Sequence, residues 1–409
     1  MQYIGIDIAK HEHVVAARAE DGEPHGKAVG FGNDEEGFAA LLERFRELGV
    51  DADDCIVAME STGHYWLALY SFLVDHGYPV AVVNPILTDA FRKADTVRKS
   101  KTDKIDAFLI AEFARFKRLG PSSVAPEVAD GLKQLTRWRH HLVKERTMLK
   151  NKATAVADRL FPELPSAVGG VSSATCRALM REYADPAVIA RTDIRTLTRT
   201  IREASRGRFG REKAEEVKAL AKSSVGSPLA AAPVAFELRQ IASLIDHLDE
   251  EVGKVDAEIA SLLEEAKGRL LTSIPGVGPV NAAVIAAEVG DPGRFDDPKK
   301  LIAYAGIDAS RHQSGGFEGT EEHMSKRGSS YLRNALINAA DAARRSDPYF
   351  GDYYDSMVAR GKHHYVALSG VARKLAGVIL AILREQRPYE PRPSVQNPRK
   401  AGKAGGQGI

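Results

Sequence analysis

The sequence predicts an α/β domain over residues 1–120, a helical and coiled-coil connector over 121–269, and a mostly α-helical domain over 270–387, with a flexible basic tail at 388–409. Three observations predict this. Extended runs interleave with helical spacings over the first part, a heptad seam runs from Leu238 to Leu262, and apolar stretches flank a Gly-Val-Gly turn at 276–278. The length of 409 residues suits two or three domains at roughly 150 residues each.

In the first part, Ile4, Ile6 and Ile8 alternate with Tyr3, Gly5 and Asp7, the period of a strand. His13–Ala19 is a second extended run, and Gly30–Gly32 ends a third. Asn33 is expected to cap a helix whose Phe38, Leu41, Leu42 and Phe45 recur at spacings of three and four. Cys55–Met59 is a fourth strand ending at Glu60, Ser61-Thr62 opens a helix to about His76, and Tyr78–Val83 is a fifth strand. Asn84-Pro85 begins a short helix, Thr102–Lys117 is another, and Gly120-Pro121 closes the domain. The order βββαβαβα is that of a ribonuclease-H-like layered sheet. It carries no Gly-rich phosphate loop of Walker or Rossmann spacing.

Beyond residue 127 the chain turns helical. Leu238, Ile241, Ile245, Leu248, Val252, Val255, Ile259 and Leu262 keep a three-four alternation, an a/d seam that suits a coiled coil, a helical hairpin, or packing on its own domain. Residues 160–235 carry Gly and Pro without a clear period and read as an irregular helical insertion. Its Arg191, Arg195, Arg199 and Arg202 either enlarge a nucleic-acid surface or belong to a longer connector. Leu270–Ile285 then reads as a helix-hairpin-helix, in which Gly276 and Gly278 let backbone amides face a phosphate. An ordinary αα corner is the alternative. Helices around Ser330–Arg345 and His364–Leu383 bear apolar stripes, with Arg373 and Lys374 on the polar side, and read as structural.

Composition narrows the class. With 44% hydrophobic and 27% charged residues, wholesale disorder is excluded. Two cysteines, Cys55 and Cys176, exclude a disulfide scaffold and a Cys-rich zinc module, and fit a reducing compartment. No basic-plus-apolar leader opens the chain and no uncharged apolar run of about 18 residues occurs. A cytoplasmic protein with no membrane partner is therefore expected. The net charge of +2 neither demands nor excludes nucleic acid, so placement decides. Arg92, Lys93, Arg98, Lys99, Lys101 and Lys104 crowd one segment, Arg311, Lys326, Arg327 and Arg333 another, and Arg392, Arg399, Lys400 and Lys403 the tail. Each group reads either as solvated surface or as phosphate contacts.

Four carboxylates stand out. Asp7 interrupts an apolar strand, where an ionised group is costly unless paired or metal-bound. Glu60 ends the fourth strand, which in this sheet type lies beside the first. Asp103 and Asp106 stand three apart on a helix, with Cβ atoms about 5–6 Å apart, where like charges repel and a divalent cation relieves them. Singly, each has an ordinary reading as cap, turn or surface acid. Jointly they suit one or two Mg²⁺ held by oxygen ligands for phosphodiester chemistry. Ser314, in a Gly-flanked basic stretch, is a candidate nucleophile that Arg311, His312 and a metal would help to activate. Ser325, followed by Lys326-Arg327-Gly328, competes, and chemistry alone does not separate the two.

These segments, in order YIGIDIAK, AMESTGHYW, VVNP, RKSKTDKIDA, IPGVGPVNAAVI, AYAGI, HQSGG and MSKRGSSYLRNAL, resemble the DEDD transposases of the IS110/IS1111/IS116/IS902 insertion sequences. The resemblance runs from the first strand to about residue 385, apart from the middle, and implies a RuvC-like nuclease domain, a coiled-coil connector and a C-terminal transposase domain. It implies that Asp7, Glu60, Asp103 and Asp106 are the DEDD acids and Ser314 the nucleophile, and it assigns Ser325 to DNA or RNA contact. It further implies strand cleavage and transfer on DNA at element ends and target, direction by a structured guide RNA, and a homo-oligomer, dimer or tetramer. In that oligomer one subunit's acids would serve another's serine. The place of action would be the bacterial nucleoid.

The runner-up is a RuvC-like structure-specific nuclease using metal-activated water. An actin-like sugar kinase shares the GIDIAK strand but lacks its later Gly-rich adenosine motifs here. A non-catalytic nucleic-acid scaffold leaves four intact acids unexplained.

Overall fold

The computed structural model describes residues 1–95, 102–122, 127–308, 313–314, 317–318 and 324–392. The chain forms two compact units, Met1–Val124 and Ala125–Ile409.

The first unit is built on a sheet of β1 (Gln2–Asp7), β2 (Glu12–Arg18), β3 (Val29–Gly32), β4 (Cys55–Glu60) and β5 (Val80–Val83), in the order β3-β2-β1-β4-β5. β1, β2 and β3 are antiparallel neighbours, whereas β4 runs parallel to β1, and β5 parallel to β4. The helices are α1 (Glu35–Glu47), α2 (Trp66–Asp75), α3 (Pro85–Asp95) and α4 (Asp103–Lys117). Strand alternation sends Ile4, Ile6, Val57 and Met59 to one face, where they bury against Phe38, Leu41, Phe45, Leu69 and Leu73. Tyr3, Ile56, Ala58, Ala81 and Val83 take the other face, against Ile110, Phe113 and Ala114 of α4. α4 lies almost on the backbone of β1, because Gly5 has no side chain. A Cβ there would collide with the Ala107 carbonyl and the Ala111 amide.

Local chemistry moves two predicted boundaries. The cap of α1 is Asp34, whose Oδ1 accepts the Gly37 amide at 2.8 Å, while Asn33 donates its side-chain amide to the Lys10 carbonyl. α2 starts at Trp66 instead of beside Ser61-Thr62. Both the amide and the hydroxyl of Ser61 donate to the Val83 carbonyl, which keeps Ser61 extended beside β5.

In the second unit, α5 (Glu127–Leu160) leads into α6 (Glu163–Ala167), α7 (Ala174–Glu182), α8 (Pro186–Arg191), α9 (Ile194–Ala204) and α10 (Arg211–Lys222). α11 (Ala231–Glu265) returns antiparallel along α5, as the ion pairs Arg146–Asp249 and Lys152–Glu237 require, at 2.6 and 2.9 Å. The predicted seam is the packed face. Leu238, Ile241, Ile245, Val252 and Ile259 are buried, and Leu248, Val255 and Leu262 half-buried. The segment read as irregular is ordered: α6–α10 wrap a core of Leu164, Cys176, Leu179, Ile189, Leu197, Ile201 and Val217 that continues into α5 and α11.

A 3-10 turn at Lys267–Ser273 precedes α12 (Pro279–Val289) and α13 (Pro298–Ala305). The short strands β6 (Gln313–Ser314) and β7 (Phe317–Glu318) pair antiparallel, and α14 (Ser330–Ser346), α15 (Pro348–Ala359) and α16 (His364–Glu385) complete the unit. α16 is long and apolar enough by composition to cross a membrane, and 67% of its apolar window is buried inside this unit. Its Leu368, Val371, Leu375 and Ile379 pack with Leu336, Ala339 and Phe350, the work of a core helix. Arg373 and Lys374 are compatible with that setting; the Lys374 ammonium lies 4.3 Å from the Tyr353 ring centroid.

Candidate active site

The sheet of the first unit places its acids by pleat and register. Tyr3 and Gly5 face α4, so Asp7, two residues on, shares that face at the C-terminal end of β1. Ile56 and Ala58 face α4 likewise, which puts Glu60 on the same side. The parallel register pairs Ile6 with Met59, so Asp7 and Glu60 end neighbouring strands at one level, on strands about 4.8 Å apart. Asp106 lies in the first turn of α4, beside Ala107 and over β1, and is 4% exposed. Asp103, three residues earlier at the start of the same turn, is exposed, so the two helix acids share a stripe but not an environment. Thr102 caps the helix, accepting the Ile105 amide.

Two residues of α3 that sequence reasoning did not single out for the site hold these acids. Thr88, fully buried, donates its hydroxyl to Glu60 Oε1 at 2.5 Å, and Thr62 donates to Oε2 at 3.4 Å. Arg92, one turn after Thr88, sets Nη2 3.2 Å from Asp106 Oδ1. That oxygen is buried and accepts no well-directed hydrogen bond, so the contact is chiefly electrostatic. The i, i+4 spacing of Thr88 and Arg92 was the available signal. Next to the strand ends, His13 is fully buried; its Nδ1 accepts the Ala9 amide at 3.2 Å, and burial lowers its pKa.

The donors suit a hard divalent cation: oxygen ligands only, with a buried carboxylate oxygen lacking a hydrogen bond. The side chains are not gathered, however. Among the described residues no three His, Cys, Asp or Glu stand close enough to hold a metal ion. Arg92 supplies the positive charge at Asp106. Lys104 is exposed on the first turn of α4, and Arg98, Lys99 and Lys101 lie outside the described residues.

The second unit builds a different feature. The Gly-Val-Gly turn enters α12 at Pro279 with Gly278 as a cap without a side-chain bond. Its first arm is a 3-10 turn instead of an α-helix: the Thr272 and Ser273 hydroxyls donate to carbonyls three residues back, at 2.8 and 2.6 Å. Gly276, at φ +87°, has a packing reason of its own, since a Cβ would sit 2.7 Å from the Ala342 carbonyl carbon of α14. Open space surrounds Gly278.

Downstream, the segment from Asp308 to Ser325 is closed at its base. The Ser325 amide donates to the Asp308 carbonyl at 3.0 Å and the Lys326 amide to Gly306 at 3.1 Å, and the Ser325 hydroxyl donates to the Asp308 carboxylate. Within the segment Ser314 pairs with Phe317 across β6 and β7. Arg311 and His312 lie outside the described residues. Lys326 and Arg327 are exposed beside the base. Beneath it, buried Glu288 takes Arg137 at 2.9 Å and the Ser329 hydroxyl at 2.7 Å, tying α12 to α5 and α14.

Comparison with known proteins matches both ends of this architecture. A family model described as a transposase, of the DEDD IS110 type, covers residues 4–162, and one described as transposase IS116/IS110/IS902 family covers 268–355. The chain is 29% identical over 401 residues to the IS116 44.8 kDa protein of Streptomyces clavuligerus, covering 96% of this chain and 97% of that one. It is 30% identical over 298 residues to the IS110 43.6 kDa protein of Streptomyces coelicolor, 72% and 73% of the two chains. A pilin gene-inverting protein of Moraxella bovis is 24% identical over 397 residues, 95% and 98%. This chain belongs to the IS116/IS110/IS902 family of transposases.

Proposed function

We propose that the chain is the transposase of an insertion sequence and breaks and rejoins DNA strands at element ends and target. The observation that carries the proposal is the common sheet face of Asp7, Glu60 and Asp106 at the C-terminal ends of two parallel strands and the first turn of α4. Family membership supports it. Asp7, Glu60, Asp103 and Asp106 would hold one or two Mg²⁺, which when bound would neutralise charge on a phosphodiester and favour an attacking oxygen. Loading the site requires Arg92 to yield its place at Asp106.

Ser314 is the nucleophile, presented on a short strand of a segment whose base is clamped by Asp308 and Ser325. Its hydroxyl oxygen bonds to the phosphorus as the strand's leaving oxygen departs, so the strand is held on the protein until it is rejoined. Arg98, Lys99, Lys101, Lys104, Arg311, Ser325, Lys326 and Arg327 meet phosphates, and Gly276 and Gly278 present the α12 amides to another. A homo-oligomer, dimer or tetramer, brings one subunit's acids to another's serine. A structured guide RNA directs the choice of site, within the bacterial cytoplasm at the nucleoid.

The test is strand cleavage of duplexes carrying element ends. Asp7→Asn and Asp106→Asn each lower cleavage by about a thousandfold, equivalent to about 4 kcal/mol, with DNA binding nearly unchanged. Ser314→Ala removes the covalent protein–DNA adduct. Undiminished cleavage by the Asn variants removes the acids from the mechanism. Full-rate joining by Ser314→Ala replaces serine chemistry with water attack.

A further inference from the structure

We propose that α9 and the turn after it form a site for the sugar-phosphate backbone of double-stranded DNA, read by Arg195, Arg199, Arg202 and Arg206. Only the identity of the nucleic acid rests on the proposed action on DNA. The site itself stands on geometry and charge.

At about 100° per residue, Arg195, Arg199 and Arg202 fall within an arc of about 60° on α9. Leu197, Thr200 and Ile201 bury the other side in the subdomain core. The arginine side is exposed and lines a groove of about 740 Å³ that Arg206 and Arg211 complete, with Glu203 as the one acid among its lining residues. Packing therefore explains why α9 is a helix. It does not explain why its outer face repeats arginine at every turn.

Ion pairing does not explain it either. Among the described residues, Arg195, Arg199, Arg202 and Arg206 stand in no close ion pair; the Asp193 carboxylate accepts the amides of Arg195 and Thr196, at 2.8 and 3.3 Å, and attracts the Arg195 guanidinium only through space. Some arginines of this unit are paired, Arg146 with Asp249 at 2.6 Å and Arg177 with Asp246 at 2.6 Å, and at the edge of the groove itself Arg211 pairs with Glu215 at 2.7 Å. Like charges one helical turn apart repel, so an unmatched row is favourable only when an anion of similar repeat lies along it. Along α9 from Arg195 to Arg202 the row spans about 10 Å at 1.5 Å per residue, the axial length of about three phosphates on one strand at 3.4 Å each, and Arg206 extends it from the turn that follows. Guanidinium is the cation whose planar fork grips phosphate by two hydrogen bonds.

The experiment uses the full chain and fluorescence anisotropy on a labelled DNA duplex over a salt series. In the triple variant R195Q/R199Q/R202Q the slope of log affinity against log salt falls by about 2–3, at about 0.9 for each phosphate that the protein no longer neutralises. Affinity at low salt drops at least about tenfold, while R195K/R199K/R202K keeps most of the slope. A glutamine variant with the wild-type slope overturns this site and leaves the transposase reading intact. A wild-type chain that binds no duplex overturns both. A loss seen only on an RNA duplex overturns the assignment to DNA. Should the glutamine variant misfold, phenylglyoxal labelling of the wild-type chain decides by mass spectrometry. Protection of Arg195, Arg199 and Arg202 by DNA supports the site, and equal labelling with and without DNA overturns it.

Discussion

Replacing Arg92 by glutamine removes the cation that faces buried Asp106 and keeps most of the side-chain bulk. At the observed 3.2 Å and an effective dielectric near 20, the gross attraction is about 5 kcal/mol. Much of this is offset, because Arg92 is 25% exposed and well hydrated in the unfolded chain, whereas the Asp106 side chain is 6% exposed and stays desolvated. A local loss of about 2 kcal/mol follows. Hydrogen exchange of the full-length chain measures it at the amides of β1 and the first two turns of α4. In Arg92→Gln these amides exchange about thirtyfold faster, the equivalent of that loss. Asp106→Asn alone costs less, and the double variant costs less than the sum by about 1–2 kcal/mol, the signature of coupling. Millimolar Mg²⁺ slows exchange more in Arg92→Gln than in the wild-type chain, since Asp106 then lacks the Arg92 guanidinium. Additive variants, or exchange indifferent to Mg²⁺ in both proteins, would refute the idea that Arg92 and a metal ion share one demand for positive charge.

Gly5→Val drives a side chain into the Ala107 and Ala111 backbone of α4 and displaces Asp106 from β1. Thermal unfolding should register a loss of about 1–3 kcal/mol together with abolished cleavage, and a fully stable variant would contradict the close helix–strand approach. His13 is buried neutral, with its folded pKa held below the ordinary value by burial. The unfolded chain therefore binds the extra proton, so this contribution is intact above about pH 6.5 and is lost at up to about 1.4 kcal/mol per unit as pH falls below it. In His13→Phe that part of the acid sensitivity disappears from pH-dependent melts. Burial pushes the Cys55 thiol up to about 11 and the Cys176 thiol up to about 12. Both should resist iodoacetamide in the native chain at neutral pH and react after unfolding, and rapid native labelling of either would show that its burial is wrong.

How much of this was legible in the residues varies along the chain. Ile4, Ile6 and Ile8 announced β1 because a strand's period of two is local, and Leu238 through Leu262 announced the packed face of α11 for the same reason at a helical period. The α2 boundary was misread, because Ser61-Thr62 has cap chemistry but Ser61 is claimed by Val83, a strand away. Part of the insertion looked irregular because α6 and α8 span 5 and 6 residues, too few turns for a period to emerge, whereas α9 and α10, at 11 and 12 residues, do carry one. The choice of Asp7, Glu60, Asp103 and Asp106 as one group came from placement on expected elements. The roles of Thr88 and Arg92 required their partners to be seen.

By itself the sequence determined the strands and helices of the first unit, the apolar face of α11 and the family to which the chain belongs, because all three are written in short-range spacing and motif. Only the tertiary structure decided that β4 lies parallel to β1 in a register that levels Glu60 with Asp7, and that Gly5 admits α4 close enough to bring Asp106 over the same sheet face. It also decided that Arg92 supplies the charge at that acid and that, among the described residues, the arginines of α9 stand in no close ion pair. Hydrophobic period tells a segment which side to hide. Which distant segment it hides against is set by shape and charge summed over the whole fold, and those sums have no signature in any one stretch of chain.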